Sequence, residues 1–249
     1  AQAIVTIFDS IAPTVLVQNI TVALDSFGLA SISVNDINNG TWDSCGVDST
    51  FISLDSFNCG NVGSNIIWFY ATDIYGNIDS AVATVSVIDT IAPTVLVQNI
   101  TVALDTTGNA NITPADVDNG SWDSCGIATT IVSLDSFDCA NIGANSIWFY
   151  ATDVNGNIDS AIVTVTIIDT IAPIVLVQNI TVALDSFGSA NILVSDINNG
   201  SWDSCGIDTS YLSLDTFNCG NVGNNSIWLI ATDVNGNTDS AQAIVTLID

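Results

Sequence analysis

The chain has 249 residues, of which 26 are acidic and none is Lys, Arg or His. All the acids are Asp, so a formal charge of −26 meets no internal counter-charge and must be balanced by bound or diffuse cations. That charge argues against nucleic acid and anionic lipid as partners, since both are recognised through Lys and Arg.

Apolar residues nonetheless make up 48% of the chain, which fits packed domains rather than disorder. No run approaches the ~18–20 apolar residues of a membrane span, so membrane insertion is not expected. No basic segment followed by an apolar one marks a signal peptide, so the segment reads as mature or as cut from something longer. Trypsin has no site in it, folded or unfolded. Nor is an enzyme expected. Without His, Lys or Glu only carboxylates remain for acid–base work, and a glycosidase-like pair needs a cleft that small repeated domains do not offer.

From the N-terminus, "AQAIVTIFD" (1–9) returns nearly unchanged as "AQAIVTLID" (241–249). It reads as the final strand of a preceding repeat, either left by a cut array or completing a neighbouring molecule by strand addition. "IAPTVLVQNITVALD" begins at Ile11 and Ile91, and "IAPIVLVQNITVALD" at Ile171, a period of 80 residues. A unit that long can own a core, which places three units at 10–89, 90–169 and 170–249.

Within the first unit "TVLVQ" and "ITVAL" are β-rich runs, and "DSFG" (25–28) is a turn into "LASISV". "DINNGTWDSCG" (36–46) carries too many turn residues to be anything but a loop. In "NIIWFYATD", Ile67, Phe69 and Ala71 share one strand face, opposite Ile66, Trp68, Tyr70 and Thr72. "SAVATVSVID" alternates likewise, with Ala83, Val85 and Val87 on the buried side. No stretch is helical. About seven short strands per unit predict an all-β chain, a tandem array of three Ig-like β-sandwiches of about 80 residues each.

Six cysteines form three pairs 14 residues apart, Cys45/Cys59, Cys125/Cys139 and Cys205/Cys219. Thiolate metal sites favour CxxC knuckles and His, both absent, so one disulfide per repeat and an oxidising compartment are expected.

The loop "ATDIYGNIDS" (71–80) recurs at 151–160 and 231–240. It offers Asp73, Asn77 and Asp79, then Asp153, Asn157 and Asp159, then Asp233, Asn237 and Asp239. These are hard oxygen donors of the kind calcium takes, but too few to fill its shell. The last strand of each unit ends in an Asp that meets the top loop of the next, so Asp9 is paired with 73–79, Asp89 with 153–159 and Asp169 with 233–239. The alternative is an ordinary Asx-type hairpin turn in water. Asp36, Asp43 and Asp55 are weaker candidates. Trp68, Trp148, Trp228, Tyr70 and Tyr150 lie on the strand face where the second and third units carry Ser146 and Ser226. They read as an outward contact surface, the alternative being burial under the second sheet.

Taken together, "DTIAPTV", "NITVALD", "WDSCGI", "ATDVNGNIDSA" and "VTVTIID" resemble the hyalin-repeat-like, Ig-like tandem repeats of very large cell-surface adhesins in Bacteroidota, including gliding-motility adhesins of the SprB kind. The resemblance covers essentially the whole chain. It implies an extracellular stalk or adhesive filament, with calcium at the "D-T-x-A-P" junctions and "D-x-x-G-N" loops. The expected function is therefore a calcium-stiffened adhesin stalk or surface-filament subunit at the cell surface. Its partners are neighbouring repeats, other copies of the filament, and cell-surface or glycan ligands. The alternative is a calcium-assisted carbohydrate-binding module array.

Overall fold

A computed structural model describes residues 2–249. Of the N-terminal segment 1–9, Ala1 therefore lies outside the described residues, and 2–9 form no strand in this structure. The side chains of Ile4, Val5, Ile7 and Phe8 are exposed.

The first repeat runs β1 (Ile20–Ala23), β2 (Leu29–Ser31), α1 (Val34–Ile37), β3 (Val47–Ile52), β4 (Ser56–Asn58), a 3-10 turn at Cys59–Asn61, β5 (Gly63–Asp73) and β6 (Ile78–Ile88). The second repeats the order as β7 (Ile100–Ala103), β8 (Asn109–Asn111), α2 (Pro114–Val117), β9 (Ile127–Val132), β10 (Ser136–Asp138), β11 (Gly143–Asp153) and β12 (Ile158–Ile168). The third has β13 (Ile180–Ala183), β14 (Ser189–Asn191), α3 (Val194–Ile197), β15 (Ile207–Leu212), β16 (Thr216–Asn218), β17 (Gly223–Asp233) and β18 (Thr238–Ile248). By contact the chain divides into two compact units. One holds residues 1–96, 119–131 and 150–161; the other holds 97–118, 132–149 and 162–249.

Each repeat is a small sandwich. Its larger sheet has the order β1-β6-β5-β3, with β1 parallel to β6 and the other pairs antiparallel, and β2 with β4 makes the second layer. The expected alternation holds: Ile67, Phe69 and Ala71 are fully buried with Ala83, Val85 and Val87, while Ile66 and Trp68 face out. Phe57 from β4 and Ile37 from α1 close the core from the other side. The third repeat buries Ile197, Phe217, Ile227, Leu229, Ala231 and Val245 in the same way.

Two features depart from the sequence expectation. The segment 36–46 is not only loop. A single helical turn, Val34–Ile37, opens it, with Asp36 accepting from the Ser33 N–H at 2.6 Å and the Ser33 hydroxyl at 2.7 Å. Beyond that turn, Asn38 and Trp42 bridge back to Val17 and Thr14. A four-residue helix is too short to show a period, so only its cap leaves a trace in the sequence.

The second departure concerns the cysteines. The bonds are Cys59–Cys125 and Cys139–Cys205, each across 66 residues and between consecutive repeats, and Cys45 and Cys219 are free. The proposed pairing of Cys45 with Cys59, Cys125 with Cys139 and Cys205 with Cys219 is thereby replaced. The reason is topological. Cys45 precedes β3, whose first residue pairs with Asp73 at the end of β5, whereas Cys59 precedes β5 and Gly63 pairs with Val87. The two cysteines thus sit at opposite ends of β5, an 11-residue strand spanning roughly 33 Å, far beyond disulfide reach. In the chain-entropy picture a loop of this size is worth about 4 kcal/mol.

Digestion with pepsin under non-reducing conditions should release linked peptides carrying Cys59 with Cys125 and Cys139 with Cys205. Recovery of Cys45 linked to Cys59 would refute the inter-repeat pairing. Phe69→Ala should destabilise the first repeat by about 3–5 kcal/mol in chemical denaturation, and Trp68→Ala by much less.

Candidate metal centre

Each β5–β6 type hairpin closes on its Asp. The Oδ1 atom of Asp73 accepts the backbone N–H groups of Tyr75 (2.8 Å) and Asn77 (2.9 Å), and its Oδ2 accepts from the Asn77 side chain at 2.7 Å. Gly76, at φ 90°, supplies the left-handed residue that the turn requires. Asp153 and Asp233 repeat the arrangement with Asn155/Asn157 and Asn235/Asn237. All three Asp residues are 2% exposed. Burial works against ionisation of Asp73 and Asp153, but donation from the Asn77 and Asn157 amides and the turn N–H groups outweighs it and holds both carboxyls below the ordinary range.

The same Asn ties the hairpin to the incoming linker. The Nδ2 of Asn77 donates to the carbonyl of Asp9, that of Asn157 to Asp89 and that of Asn237 to Asp169, each at 3.3 Å. The structure thus brings each linker Asp to the hairpin of the repeat it enters. Asp79 and Asp159 are not part of this gathering. They are exposed strand residues whose carboxylates accept the N–H of the following Ser. Asp239 holds the matching exposed position in the third repeat.

The linker carboxylates gather with a different group. Asp9 lies with Asp43 and Cys45, Asp89 with Asp123 and Cys125, and Asp169 with Asp203 and Cys205, their ligating atoms all within 4.8 Å of one another. Asp43, Asp123 and Asp203 come from the W-D-S-C-G loop, where each Oδ1 caps the N–H groups two and three residues on at 2.7–3.1 Å. Asp43 stood among the weaker candidates in the sequence, and the triplicate "WDSCG" is the signal that extends it to Asp123 and Asp203. Asp36, by contrast, caps α1, and Asp55 accepts from the Ser56 hydroxyl.

One oxygen is left over at every joint. The Oδ1 of Asp9, Asp89 and Asp169 accepts an N–H two residues on at 2.9–3.0 Å, but each Oδ2 is buried without a hydrogen-bond partner among the described residues. Asp89 itself is only 9% exposed. A buried, unpaired carboxylate oxygen beside a second carboxylate is costly unless a cation meets it. No Lys, Arg or His exists in the chain to do so. Where Cys125 and Cys205 are in disulfides the donors are oxygens alone, which suits a hard cation such as Ca²⁺ better than zinc. At the first joint, Asp9 is held below the ordinary carboxylate range chiefly by the Ile11 N–H and the Cys45 side chain, and the Cys45 thiol is pushed up chiefly by that contact with Asp9.

The outer face of the large sheet carries the aromatics. Phe51 and Tyr70 stack with ring centroids 4.5 Å apart, and Trp68 lies 6.3 Å from Tyr70. Trp68, Trp148 and Trp228 are each nearly half exposed, and Tyr70 and Tyr150 are partly buried.

No family model and no curated protein matches the chain. Among solved structures it is similar to protocadherin gamma B7 extracellular cadherin domains 1–4, with 12% identity, TM-score 0.34, 82% of this chain covered and 66% of that one. It is also similar to protocadherin gamma B2 extracellular cadherin domains 1–5, with 13% identity, TM-score 0.36, 95% of this chain covered and 60% of that one. A mouse clustered protocadherin, PcdhgC3 EC1–3, matches with 11% identity, TM-score 0.32, 78% of this chain covered and 83% of that one. At these values the likeness adds nothing to the β-sandwich repeats seen directly in the strands. No helix among the described residues is long and apolar enough to cross a membrane. Tandem β-sandwich repeats joined by disulfides point to an oxidising, extracellular setting.

The lowered carboxyls of Asp73 and Asp153 fix the sign of the acid response. Their contribution is complete above the unfolded Asp value of about 3.9 and is lost as pH falls through the lower folded values. Thermal midpoints should therefore stay level from neutral pH to about 5 and fall steeply below about 4. Asp153→Ala, which strands three donors, should lower the melting temperature of its domain by roughly 5–10 °C and blunt that acid transition.

Proposed function

We propose that the chain is a calcium-stiffened segment of an extracellular adhesin stalk or surface filament, with one divalent cation at each joint between repeats. The observation that carries this reading is the buried, unpartnered Oδ2 of Asp9, Asp89 and Asp169, repeated at three equivalent positions. The ligands would be that oxygen and the carboxylate of Asp43, Asp123 or Asp203, with the hairpin Asp and Asn behind them fixing the linker. When bound, the cation supplies charge neutralisation and a rigid cross-brace between linker and loop. The resemblance to hyalin-repeat-like adhesins of Bacteroidota supports the same role, and the outward aromatics are the surface for lateral or partner contact.

The stacked Phe51–Tyr70 pair beside Trp68 favours one second reading, an array of carbohydrate-binding modules, because flat exposed rings are the usual platform for sugars. Glycan binding by the chain that is lost in Trp68→Ala and Tyr70→Ala would favour it.

Calcium at about a hundred times its dissociation constant stabilises by about 2.7 kcal/mol per site. Thermal unfolding in excess calcium should thus lie roughly 10 °C above that in chelator, and small-angle scattering should report a stiffer particle with calcium. Asp89→Ala and Asp123→Ala should each abolish the calcium-dependent part at the first inter-repeat joint, while Asp159→Ala keeps it. Identical melting and scattering with and without chelator would overturn the reading.

A further inference from the structure

The disulfides between repeats have carboxylates on one side only. Cys125 stands with Asp89 and Asp123, and Cys205 with Asp169 and Asp203, their ligating atoms within 4.8 Å of one another. Cys59, the other half of the first bond, belongs to no such group among the described residues. Its sulfur lies by the carbonyl oxygens of Gly28 and Ser124, at 3.8 and 3.5 Å.

The three groups around Cys125 are held by the second repeat and its own linker. The Oδ1 of Asp89 accepts the Ile91 N–H at 3.0 Å, and Thr94 just beyond exchanges two backbone hydrogen bonds with Trp122, at 2.8 and 3.0 Å. The Oδ1 of Asp123 accepts the Cys125 N–H at 2.7 Å, and the Gly126 carbonyl accepts the Val154 N–H at 3.1 Å. Opening the disulfide would therefore release Cys59 and leave Asp89, Asp123 and Cys125 gathered. Asp89 brings to that gathering an Oδ2 buried without a hydrogen-bond partner among the described residues, on a side chain only 9% exposed.

What the gathering can hold depends on the sulfur. A disulfide sulfur carries no negative charge to donate, so the bonded joint offers oxygens, the donors of a hard cation. A thiolate beside two carboxylates is a different set. Three protein ligands, with a fourth position left to water, suit zinc, which takes both sulfur and oxygen.

We propose that the Cys59–Cys125 bond masks a thiophilic metal site. Once it is opened, Asp89, Asp123 and the Cys125 thiolate bind a divalent cation of the zinc class, and Asp169, Asp203 and Cys205 do the same behind the Cys139–Cys205 bond. This rests on the joint cation site proposed above and adds a change of metal with redox state. The opening step uses two small-molecule thiols. The thiolate of the first attacks the Cys59 sulfur and expels the Cys125 thiolate, which goes to the metal. The second attacks the small-molecule sulfur now bonded to Cys59 and expels the Cys59 thiolate, which takes a proton. One protein S–S bond breaks and one small-molecule S–S bond forms. Of the two protons the small thiols lose, one ends on Cys59 and the other in water. Because the metal binds the open form more tightly, it draws the joint toward that form.

The test uses the full chain with Cys45→Ser and Cys219→Ser, so that only bonded cysteines remain, and cobalt(II) as the probe. Adding Cys59→Ser leaves Cys125 the sole thiol, with the Cys139–Cys205 bond intact. This variant should bind one equivalent of cobalt with an intense near-ultraviolet sulfur-to-cobalt band, and the fully bonded parent should show none. Asp89→Asn or Asp123→Asn should each weaken that binding at least tenfold. No band, or a band that both Asn variants leave unchanged, would overturn the site. The bonded parent gives a second reading that does not depend on Cys59→Ser folding. In a glutathione redox buffer with free zinc held by a metal buffer, each tenfold rise in zinc past saturation should raise the reduced-to-oxidised ratio of Cys59–Cys125 tenfold, about 30 mV. A ratio indifferent to zinc would overturn the site as well. Calcium-dependent melting of the bonded chain without the cobalt band would sink this inference and leave the calcium reading standing. The band without calcium-dependent melting would support this site and remove the calcium reading.

Discussion

A chain with no basic side chain must hold every carboxylate with N–H groups, hydroxyls, water or ions, and this constraint organises the structure. The Asp residues are used as local caps. Asp25, Asp73 and Asp105 close turns on N–H groups two and four residues on, Asp36 and Asp116 cap single helical turns, and Asp43 and Asp123 cap the D-S-C loop. Short Asp side chains suit this work, since they reach the backbone just ahead of them. The linker Asp is the exception, because a backbone N–H satisfies one of its oxygens while the other is buried with no donor among the described residues.

Those linkers lie where two kinds of restraint meet. The hairpin Asn grips the linker carbonyl, and a disulfide joins the D-S-C loop to the repeat before. Both joints between described sandwiches carry the pair, at Asp89 with Cys125 and at Asp169 with Cys205. The covalent bond limits how far consecutive repeats can separate, while the polar contacts fix the local path of the chain. A cation at the orphaned oxygen would add to the second restraint without duplicating the first.

The fold was legible because it rests on short-range patterns. The alternation of Ile67, Phe69 and Ala71 against Trp68 and Tyr70 names the buried face of β5, and the period of the sequence returns as the same element order three times. Strand direction led to the expectation that linker and hairpin approach each other, and the contact seen there is between the hairpin Asn amide and the linker Asp carbonyl, not its carboxylate. The cysteine partners were not legible, because a spacing of 14 residues does not say at which end of a long strand each residue sits. Asp43 and its counterparts were underrated for a similar reason: their loop is distant in sequence from the linker and is brought to it by the β3–β5 pairing and by the bridge of Trp42 to Thr14, neither of which a local pattern shows. Asp79 was overrated because it falls in the motif, although the strand points its carboxylate back to its own neighbour.

The inter-repeat bonds also change how the chain would carry a tensile load. A force entering at the N-terminus passes from Cys59 straight to Cys125, and later from Cys139 to Cys205, skipping the 66 residues of sequence separation in each case. The long hairpins β5–β6 and β11–β12 lie inside those closed loops and cannot be drawn out while the bonds last. An array built in this way yields little slack when pulled, so its extension is set by redox state as well as by fold.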